Sequence, residues 1–573
     1  MEDTVSIDSS RAGTIILLAN GKQYVCSAFQ FRLALNQIQA GSVVVGCGRQ
    51  ILGDVTFDNN AEDLYEQIQQ QTLSGQYTML DCAVEEAIFG GSVRIFTGVI
   101  VSASLVYKTG AATIRAIRFE LMGLSARLHS QPLTAYSNSC GAYIVQSILQ
   151  KDVKQLTTLE ALARQGMMSP KETLEKTVCS QIKNKIEQKD IATRVARIAD
   201  ALVLMSSHTI NQLNPTDIPN LGSVLGIDAC LYSSCNLNKE VLDKANTLTD
   251  EYFNESLCAG LLSGISGGSV FDAIARTLTS TEFMLALVPH MDGRLEIRPT
   301  NAWGAGSNVK QLPLAAVSSI NSSWHPLDHL NDPDVFAVNF SDALSMSGNQ
   351  GADGDPSTLI GVYSKDPTMA TWLRERLTHN VEAAAMEAVT KDTAHYKWRV
   401  TRSPRWLHNA IIRTDRSADD EKLQAEAIEA QKSKDTVNES DANKAIIYDY
   451  TIGNDLADQV AQALYSILYK QHETAELELM PDARFGLYSD KYGVVLEEML
   501  GELIDIVPSE QKNKDRLSNA PLAIRGMITA VTFTYNAGAS ATCTYGLSLS
   551  HVRPIDPDEQ KIDCPIYTNK AAQ

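Results

Sequence analysis

Long apolar runs, paired cysteines and an excess of positive charge are all missing from this 573-residue chain. Its longest apolar stretches, such as Ile16 to Ala19 and Phe283 to Val288, fall far short of the roughly 18 residues a membrane-spanning helix needs, so no membrane insertion is expected. Glu2 and Asp3 stand where a secretory signal would be basic, and no apolar segment follows at once, so synthesis and folding in a cytoplasm are expected. The ten cysteines are scattered singly, and only Cys230 and Cys235 lie near one another, which gives neither a zinc spacing nor a disulfide framework. Cys543 shares the apolar phase of its strand with Ala541, Tyr545, Leu547 and Leu549 and reads as a small buried hydrophobe. Asp and Glu number 68 against 49 Lys and Arg, a formal charge of −19, and such a surface repels phosphates. That argues against a nucleic-acid-binding module, though not against a wall past which DNA slides without sticking.

Catalytic signatures are equally sparse. Gly264-Ile-Ser266-Gly-Gly268 has the form of a nucleophile elbow, a sharp turn that must join a strand to a helix. A helix does follow, but Asn254 to Leu262 reads as the end of another helix, so the segment is taken as a glycine-rich connector with Ser269 capping what comes next. His325, Asp328, His329, Asp332 and Asp334 gather two histidines and three carboxylates, yet Pro326 opposes a helix that would bring both rings to one face, which leaves a solvated polar loop. Asp353-Gly-Asp355 lacks the spacing of a calcium-binding loop, and no phosphate-cradling, dinucleotide or zinc-protease signature occurs. Glu85-Glu86 and Glu497-Glu498 are adjacent in sequence and cannot converge across a cleft as a glycosidase pair must. The chain is therefore read as non-enzymatic, with no catalytic residue, no cofactor, no cofactor-binding residue and no metal.

What the sequence does hold is a repeat. Gly98 to Tyr107 with Gly110, and Gly526 to Tyr535 with Gly538, read as the same hairpin at a constant offset of 428, which also pairs Ala111 with Ala539 and Leu121 with Leu549. Each copy has a strand, a glycine-containing turn and a strand returning antiparallel. The length suggests about three or four domains. Residues 1–135 read as a first small β-barrel: Thr14 to Ala19, the Asn20-Gly21 turn, Tyr24 to Leu35, Gly41 to Val45, a short helix from Ala61 to Gln71, and the hairpin at 94–124. Residues 136–300 read as a mainly helical insertion, with Pro170 at a first helical position and Val178, Ile182, Ile186 and Ile191 at helical spacings. It ends in a helix opened by Ser269 and Asp272 in capping-box style, then Phe283 to Val288, a turn at Asp292-Gly293, and Leu295 to Ile297. Residues 301–412 read as a mixed α/β bracing domain with strands at Leu314 to Ile320 and Val335 to Phe340, a loop from Ser347 to Ser357 and a helix from Ala370 to Val389. Residues 413–445 read as a charged linker, either a solvated helix or a poorly ordered segment. In 446–573, the second barrel, Asn454 or Asp455 caps a helix carrying Leu456, Val460 and Leu464 that hands directly to the alternating strand Thr474 to Leu479. The fold class is α+β, with two similar small antiparallel β-barrels, a helical insertion and mixed bracing domains.

The helix-to-strand passage Leu456 to Leu479, the terminal ribbon Gly526 to Leu549 ending at Arg553, and the Phe283 to Pro299 hairpin behind its helix resemble the baseplate hub proteins of contractile-tailed bacteriophages. These are related in fold to the N-terminal part of type VI secretion spike proteins. The resemblance covers 1–135 and about 445–555 reasonably and the helical 140–265 region poorly. It implies two tail-tube-like barrels per chain and a homotrimer whose six barrels form a ring, joining the hexameric tail tube protein above to a trimeric spike protein below. It further implies contacts with other baseplate proteins, DNA only in passage through the lumen, and a place in the virion tail baseplate after assembly in the host cytoplasm. On this reading Glu476 and Glu478, on the polar phase of their strand, are expected to face the conduit. Two alternatives are a tail-associated cell-wall hydrolase, with the Ser266 region or a carboxylate pair not evident in the sequence as its site, and a receptor-binding tail protein, which would favour fibrous repeats that the sequence does not contain.

Overall fold

The computed structural model describes residues 14–52, 55–59, 61–75, 79–88, 91–108, 114–130, 230–237, 269–279, 284–299, 309–326, 332–339, 360–370, 397–402, 450–469, 473–479, 500–507, 523–537, 541–556, 564–565 and 567–569. The first part runs β1 (Ile15–Ala19), β2 (Lys22–Ala34), β3 (Ala40–Gly46), β4 (Gly48–Leu52), β5 (Val55–Asn59), α1 (Ala61–Leu73), β6 (Leu80–Ile88), β7 (Gly91–Lys108), β8 (Ile114–Gly123) and α2 (Ala126–Ser130). Asn20 and Gly21 turn β1 into β2 with φ of 51° and 71°, the left-handed pair that a two-residue hairpin demands. Strand neighbours run β1-β6-β7-β8-β3-β2, and β2 pairs back onto β1, so six antiparallel strands close into a barrel. Closure removes the edges that an open sheet would expose, except where β7 runs on past Ile100, beyond its pairing with β6. Ala61, Leu64 and Ile68, spaced along one stripe of α1, bury that helix against the barrel.

The remaining described elements are β9 (Leu231–Ser233), β10 (Cys235–Leu237), α3 (Val270–Leu278), β11 (Leu285–Pro289), β12 (Leu295–Pro299), β13 (Lys310–Pro313), β14 (Val317–Ser323), β15 (Val335–Asn339), β16 (Ile360–Ser364), β17 (Trp398–Arg402), α4 (Tyr450–Tyr469), β18 (Thr474–Leu479), β19 (Leu503–Val507), β20 (Ile524–Ala537), β21 (Ala541–Pro554) and β22 (Tyr567–Asn569). From β2 the sheet continues through β20, β21, β18 and β14, while β19 and β13 branch from the other side of β20, giving 12 strands in all. This second array is not a hydrogen-bonded ring among the described residues. Instead β13 pairs parallel with β19 and passes through one 3-10 turn, Leu314–Ala316, into β14. The expected strand from Leu314 to Ile320 thus begins three residues late.

The second array repeats the pairings of the first. The β7–β8 ladder reappears in β20–β21 at the offset of 428, from Val99 opposite Met122 (Met527 opposite Ser550) to Lys108 opposite Ile114 (Asn536 opposite Thr542). The β-bulge between Ile100 and Ser102 recurs between Ile528 and Ala530. The agreement extends beyond the hairpin that the sequence revealed. Asp81 to Val84 of β6 correspond to Leu503 to Ile506 of β19, an offset of 422, against the same partners on β7 and β20. Ala40 to Val45 of β3 correspond to Thr474 to Leu479 of β18, an offset of 434, against β8 and β21. Cys26 to Arg32 of β2 correspond to Val317 to Ser323 of β14, an offset of 291, including a bulge in each. The bulged serine even makes the same bond: Ser27 Oγ donates to the Val44 carbonyl and Ser318 Oγ to that of Glu478, its counterpart, both at 2.9 Å.

Smaller elements brace this sheet. α3 opens with the expected capping box, Ser269 and Asp272 each bonding the other's backbone N–H. β11 and β12 form the expected hairpin around Gly293, whose φ of 82° and close approach to the Thr97 carbonyl leave no room for a side chain. Arg298 on β12 reaches the Leu500 carbonyl, tying the hairpin to the second array. Beside it, burial works to raise the carboxyl of Glu296, but the His290 hydrogen bond and the Arg298 charge outweigh it and hold it below the usual range. A separate sheet, β16-β15-β17, carries α4 on it, where Gly361 lies against Ala457 and Asp458 accepts from the Val362 N–H. The helical periodicity at 178–204, the loop at 347–357 and the linker at 413–445 lie outside the described residues, and so does the helix at 370–389 beyond its first residue.

Two measurements follow from this packing. A Cβ at Gly98 would collide with the Met122 carbonyl, whereas at Gly526 it would meet only the side chains of Leu549 and Val552. Gly98→Ala is therefore expected to lower the unfolding free energy by about 1–3 kcal/mol, and Gly526→Ala by less, in denaturant titrations. Across β19 and β20, Arg525 grips Asp505 through Nε and Nη2 at 2.6 and 2.8 Å with both side chains 6% exposed. Arg525→Ala strands a buried carboxylate and is expected to cost about 3–5 kcal/mol. Replacing both residues by apolar ones of similar size should cost less.

Candidate assembly surface

Among the described residues, those with a claim to chemistry are not assembled for it. Ser266 and its glycines, His329, Asp353, Asp355 and Glu497-Glu498 lie outside the described residues, as does the side chain of Cys543. Asp334 holds β17 in place, its Oδ2 accepting from the Lys397 N–H at 2.8 Å. His325 is exposed just past β14, and no group of three metal-binding side chains occurs among the described residues. Glu85 bonds Ser92 and Arg94 at the surface while its neighbour Glu86 is buried, so the two point apart. Ser269 has both His129 Nδ1 (3.3 Å) and Asp272 Oδ2 (2.8 Å) within reach. Its proton goes to the carboxylate, and the imidazole does not lie between the two as a general base must, so the group is a helix cap. Burial pushes the thiols of Cys26 and Cys82 up to about 12, which leaves them protonated and unreactive.

The surfaces that the fold does prepare are strand edges. β2 pairs with β1 through Lys22 to Val25, and farther along the same edge Ala28 to Ala34 pair antiparallel with Asn536 to Ala530 of β20. That ladder joins the two arrays. On its inner face Phe29, Phe31 and Phe533 pack at centroid separations of 5.6–5.9 Å, and Tyr545 approaches Phe533 at 4.9 Å. On its outer face stand Gln30 and Arg32 opposite Thr534 and Thr532.

The counterparts of these two edges are open. β7 pairs with β6 only as far as Ile100, and from Val101 to Lys108 it has β8 on one side and no strand on the other among the described residues. β14 has β18 on one side and likewise no described strand on the other. Both edges carry apolar side chains in water. Leu105 on β7 is 45% exposed, whereas its counterpart Phe533 is 0% exposed; Trp324, just past β14, is 49% exposed, whereas its counterpart Leu33 is 0% exposed. Neither Val101 to Val106 nor Val317 to Trp324 contains a charged residue or a proline, the usual guards of an exposed edge.

Cross-strand pairing also keeps one polar face running across both arrays. Ser102 and Glu120 align with Ser42 and Gln30 on the first, and Ser548, Glu476 and Asn321 align on the second. Glu476 and Glu478 both lie on this exposed face, accepting from Ser548 Oγ at 2.9 Å and Ser319 Oγ at 3.4 Å, while Ala475, Leu477 and Leu479 between and beside them point into the core. Sequence reasoning placed these glutamates on the polar phase but missed the edges. The signal available was the uncharged run at 101–106 and again at 317–324.

No family model matches the chain, and no curated protein matches it. The structural neighbours are phage tail and type VI secretion proteins. The 43 kDa tail protein of prophage MuSo2 from Shewanella oneidensis is 10% identical with a TM-score of 0.36, covering 96% of this chain and 100% of the other. A tail protein from Neisseria meningitidis MC58 is 9% identical with a TM-score of 0.37, covering 94% and 95%. A component of the E. coli type VI secretion system, described as structurally similar to T4 bacteriophage tail proteins, is 10% identical with a TM-score of 0.30, covering 96% and 80%. At these scores the superpositions do not by themselves establish a common fold.

The counterpart relation makes a contrast that can be measured on dilute protein. Phe533→Ala opens a cavity in the joining ladder and is expected to lower the unfolding free energy by about 3–5 kcal/mol. Leu105→Ala, at the equivalent open position, is expected to change it by no more than about 0.5 kcal/mol.

Proposed function

We propose that this chain is a structural component of a phage tail, a baseplate hub that works by shape and multivalent strand contacts rather than by catalysis. The observation that carries the reading is the repetition of strand registers and bulges in two arrays joined head to tail, with the outward edge of each left open. A unit that contacts its like through unlike edges makes a heterologous interface, and such interfaces close into rings when the rotation permits. Three chains of two units would give six nearly equivalent positions. That is the arrangement needed between a hexameric tail tube and a trimeric spike, with other baseplate proteins docking outside.

In this proposal residues 1–135 are the first tube-like unit, and 446–573 together with β13 and β14 form the second. Residues 136–300 and 301–412 insert and brace, and 413–445 link. The polar face that carries Glu476 and Glu478 would line the conduit, where a −19 chain repels DNA phosphates and lets them pass. No catalytic, metal or cofactor role is assigned, and the protein would reside in the virion tail baseplate after assembly in the host cytoplasm.

The mass of the purified protein in solution tests the reading. A particle three times 62.5 kDa with a ring-shaped projection is expected. A chain that stays monomeric at high concentration and in the presence of tail tube protein would sink it. Incubation with peptidoglycan is expected to release nothing, and turnover abolished by Ser266→Ala would instead favour a tail-associated cell-wall hydrolase.

A further inference from the structure

The ladder between β2 and β20 is a template for a second ladder that the described residues of a single chain do not complete. Carrying Arg32 and Thr532, which lie opposite each other in that ladder, by the offsets of 291 and 428 lands on Ser323 and Ser104. Carrying Leu33 and Val531 lands on Trp324 and Ala103. These positions sit on two separate edges of one molecule, and neither edge has a strand partner among the described residues.

We propose that β14 of one chain adds antiparallel to Val101–Lys108 of β7 in a second copy, with Ser323 opposite Ser104 and Trp324 opposite Ala103. The proposal rests on the ring reading above and deepens it, since it names the partner surface and its register. Its physical basis is continuity with the internal junction. Side-chain parity in the new ladder follows from parity in the old one, so Leu105 and Trp324 turn to the inner face, where Phe533 and Leu33 are fully buried in the internal copy. Ser104 and Ser323 turn to the polar face, beside Arg118 and Thr474 in the flanking strands. Pairing would draw Trp324 and His325 into extended conformation, and Pro326, which has no N–H to donate, marks its end. Backbone bonds supply affinity in strand addition, and the indole, closing over Ala103 with Leu105 diagonal to it, supplies the apolar anchor. Because the two edges differ, a second copy of either edge does not satisfy the first.

Two full-length single variants, Ser104→Cys and Ser323→Cys, test the pairing. Each alters an exposed serine, and circular dichroism with thermal melting shows whether each variant retains the parent fold. Mixed and mildly oxidised, they are expected to give a disulfide-linked pair of chains, with the two peptides identified by mass so that native cysteines do not confuse the result. Neither variant alone should link through its new thiol. Ser102→Cys mixed with Ser323→Cys, displaced by two residues, should link at least about tenfold less, since disulfides tolerate little separation of Cα atoms. A particle of trimer mass without the link overturns this register and leaves the ring reading standing. The link in a particle that does not close overturns the ring and retains the edge pairing, whereas a monomer that never links overturns both. As a second readout, Trp324→Ser should weaken association by about tenfold or more while leaving the melting of the dissociated chain unchanged.

Discussion

The ladder between β2 and β20 is the interaction on which the rest of the molecule depends. β2 is 13 residues long and serves three partners: β1 at its start, then β3 along one edge and β20 along the other. Side chains alternate strictly across a strand, so a slip of one residue in this ladder would send Phe29, Phe31 and Leu33 to the solvent side and bring Gln30 and Arg32 into the core. The aromatic cluster of Phe29, Phe31, Phe533 and Tyr545 therefore does more than fill space. It fixes the register at which the first barrel meets the second array, and through that register the alignment of the polar face across both.

The two arrays keep geometry while exchanging chemistry. Asp505 and Arg525 form a buried ion pair at the positions occupied in the first array by Ala83 and Thr97. Val44 in the first array corresponds to Glu478 in the second, and Phe31 to Ser322. What persists is the set of hydrogen-bond partners, the bulge shared by β2 and β14, the one shared by the β7–β8 and β20–β21 ladders, and the bulged serine that donates to a carbonyl of the facing strand. Bulges set local twist and bend, so holding them at equivalent positions holds the curvature of each array. Closure is where the arrays part. The first returns from β1 to β2 through a tight Asn-Gly turn, whereas the second enters β14 from a 3-10 turn and leaves its far edge available.

The β7–β8 and β20–β21 repeat was legible in the sequence because both strands of the hairpin carry similar residues at matching positions, with glycines before the strand and in the turn. The other three strand correspondences were not, since they survive only as parity. β3 and β18 share little beyond apolar side chains at Val43 and Val45 and at Leu477 and Leu479. β6 and β19 escaped notice altogether, because Glu85 and Glu86 in one and Asp505 in the other interrupt the apolar pattern, and the partner that makes Asp505 tolerable lies 20 residues away. Helix boundaries failed for a related reason. α4 begins at Tyr450, so Asn454 and Asp455 lie within its early turns rather than ahead of it; packing against the β15–β17 sheet decides where that helix runs. Ser269 caps its helix as the spacing to Asp272 suggested, whereas Asp334, read as part of a solvated polar loop, accepts from the backbone ahead of β17.

Exposed strand edges are ordinarily a hazard, and chains that remain alone blunt them with charge, proline or a covering loop. This chain carries 20% charged residues, yet places none from Val101 to Val106 of β7 or along β14, and puts Leu105 on the first and Trp324 just past the second. Stability of the single chain does not explain that choice, because an exposed indole contributes little to a core it does not enter. Parity offers an explanation. Leu105 occupies the inner-face phase of β7 and Trp324 continues that of β14, the phase that the sheet fills mainly with apolar side chains, and Ser102, Ser104, Asn321 and Ser323 occupy the polar phase. The edges are built as the internal junction is built, alternation included, and among the described residues lack only the strand that would complete them.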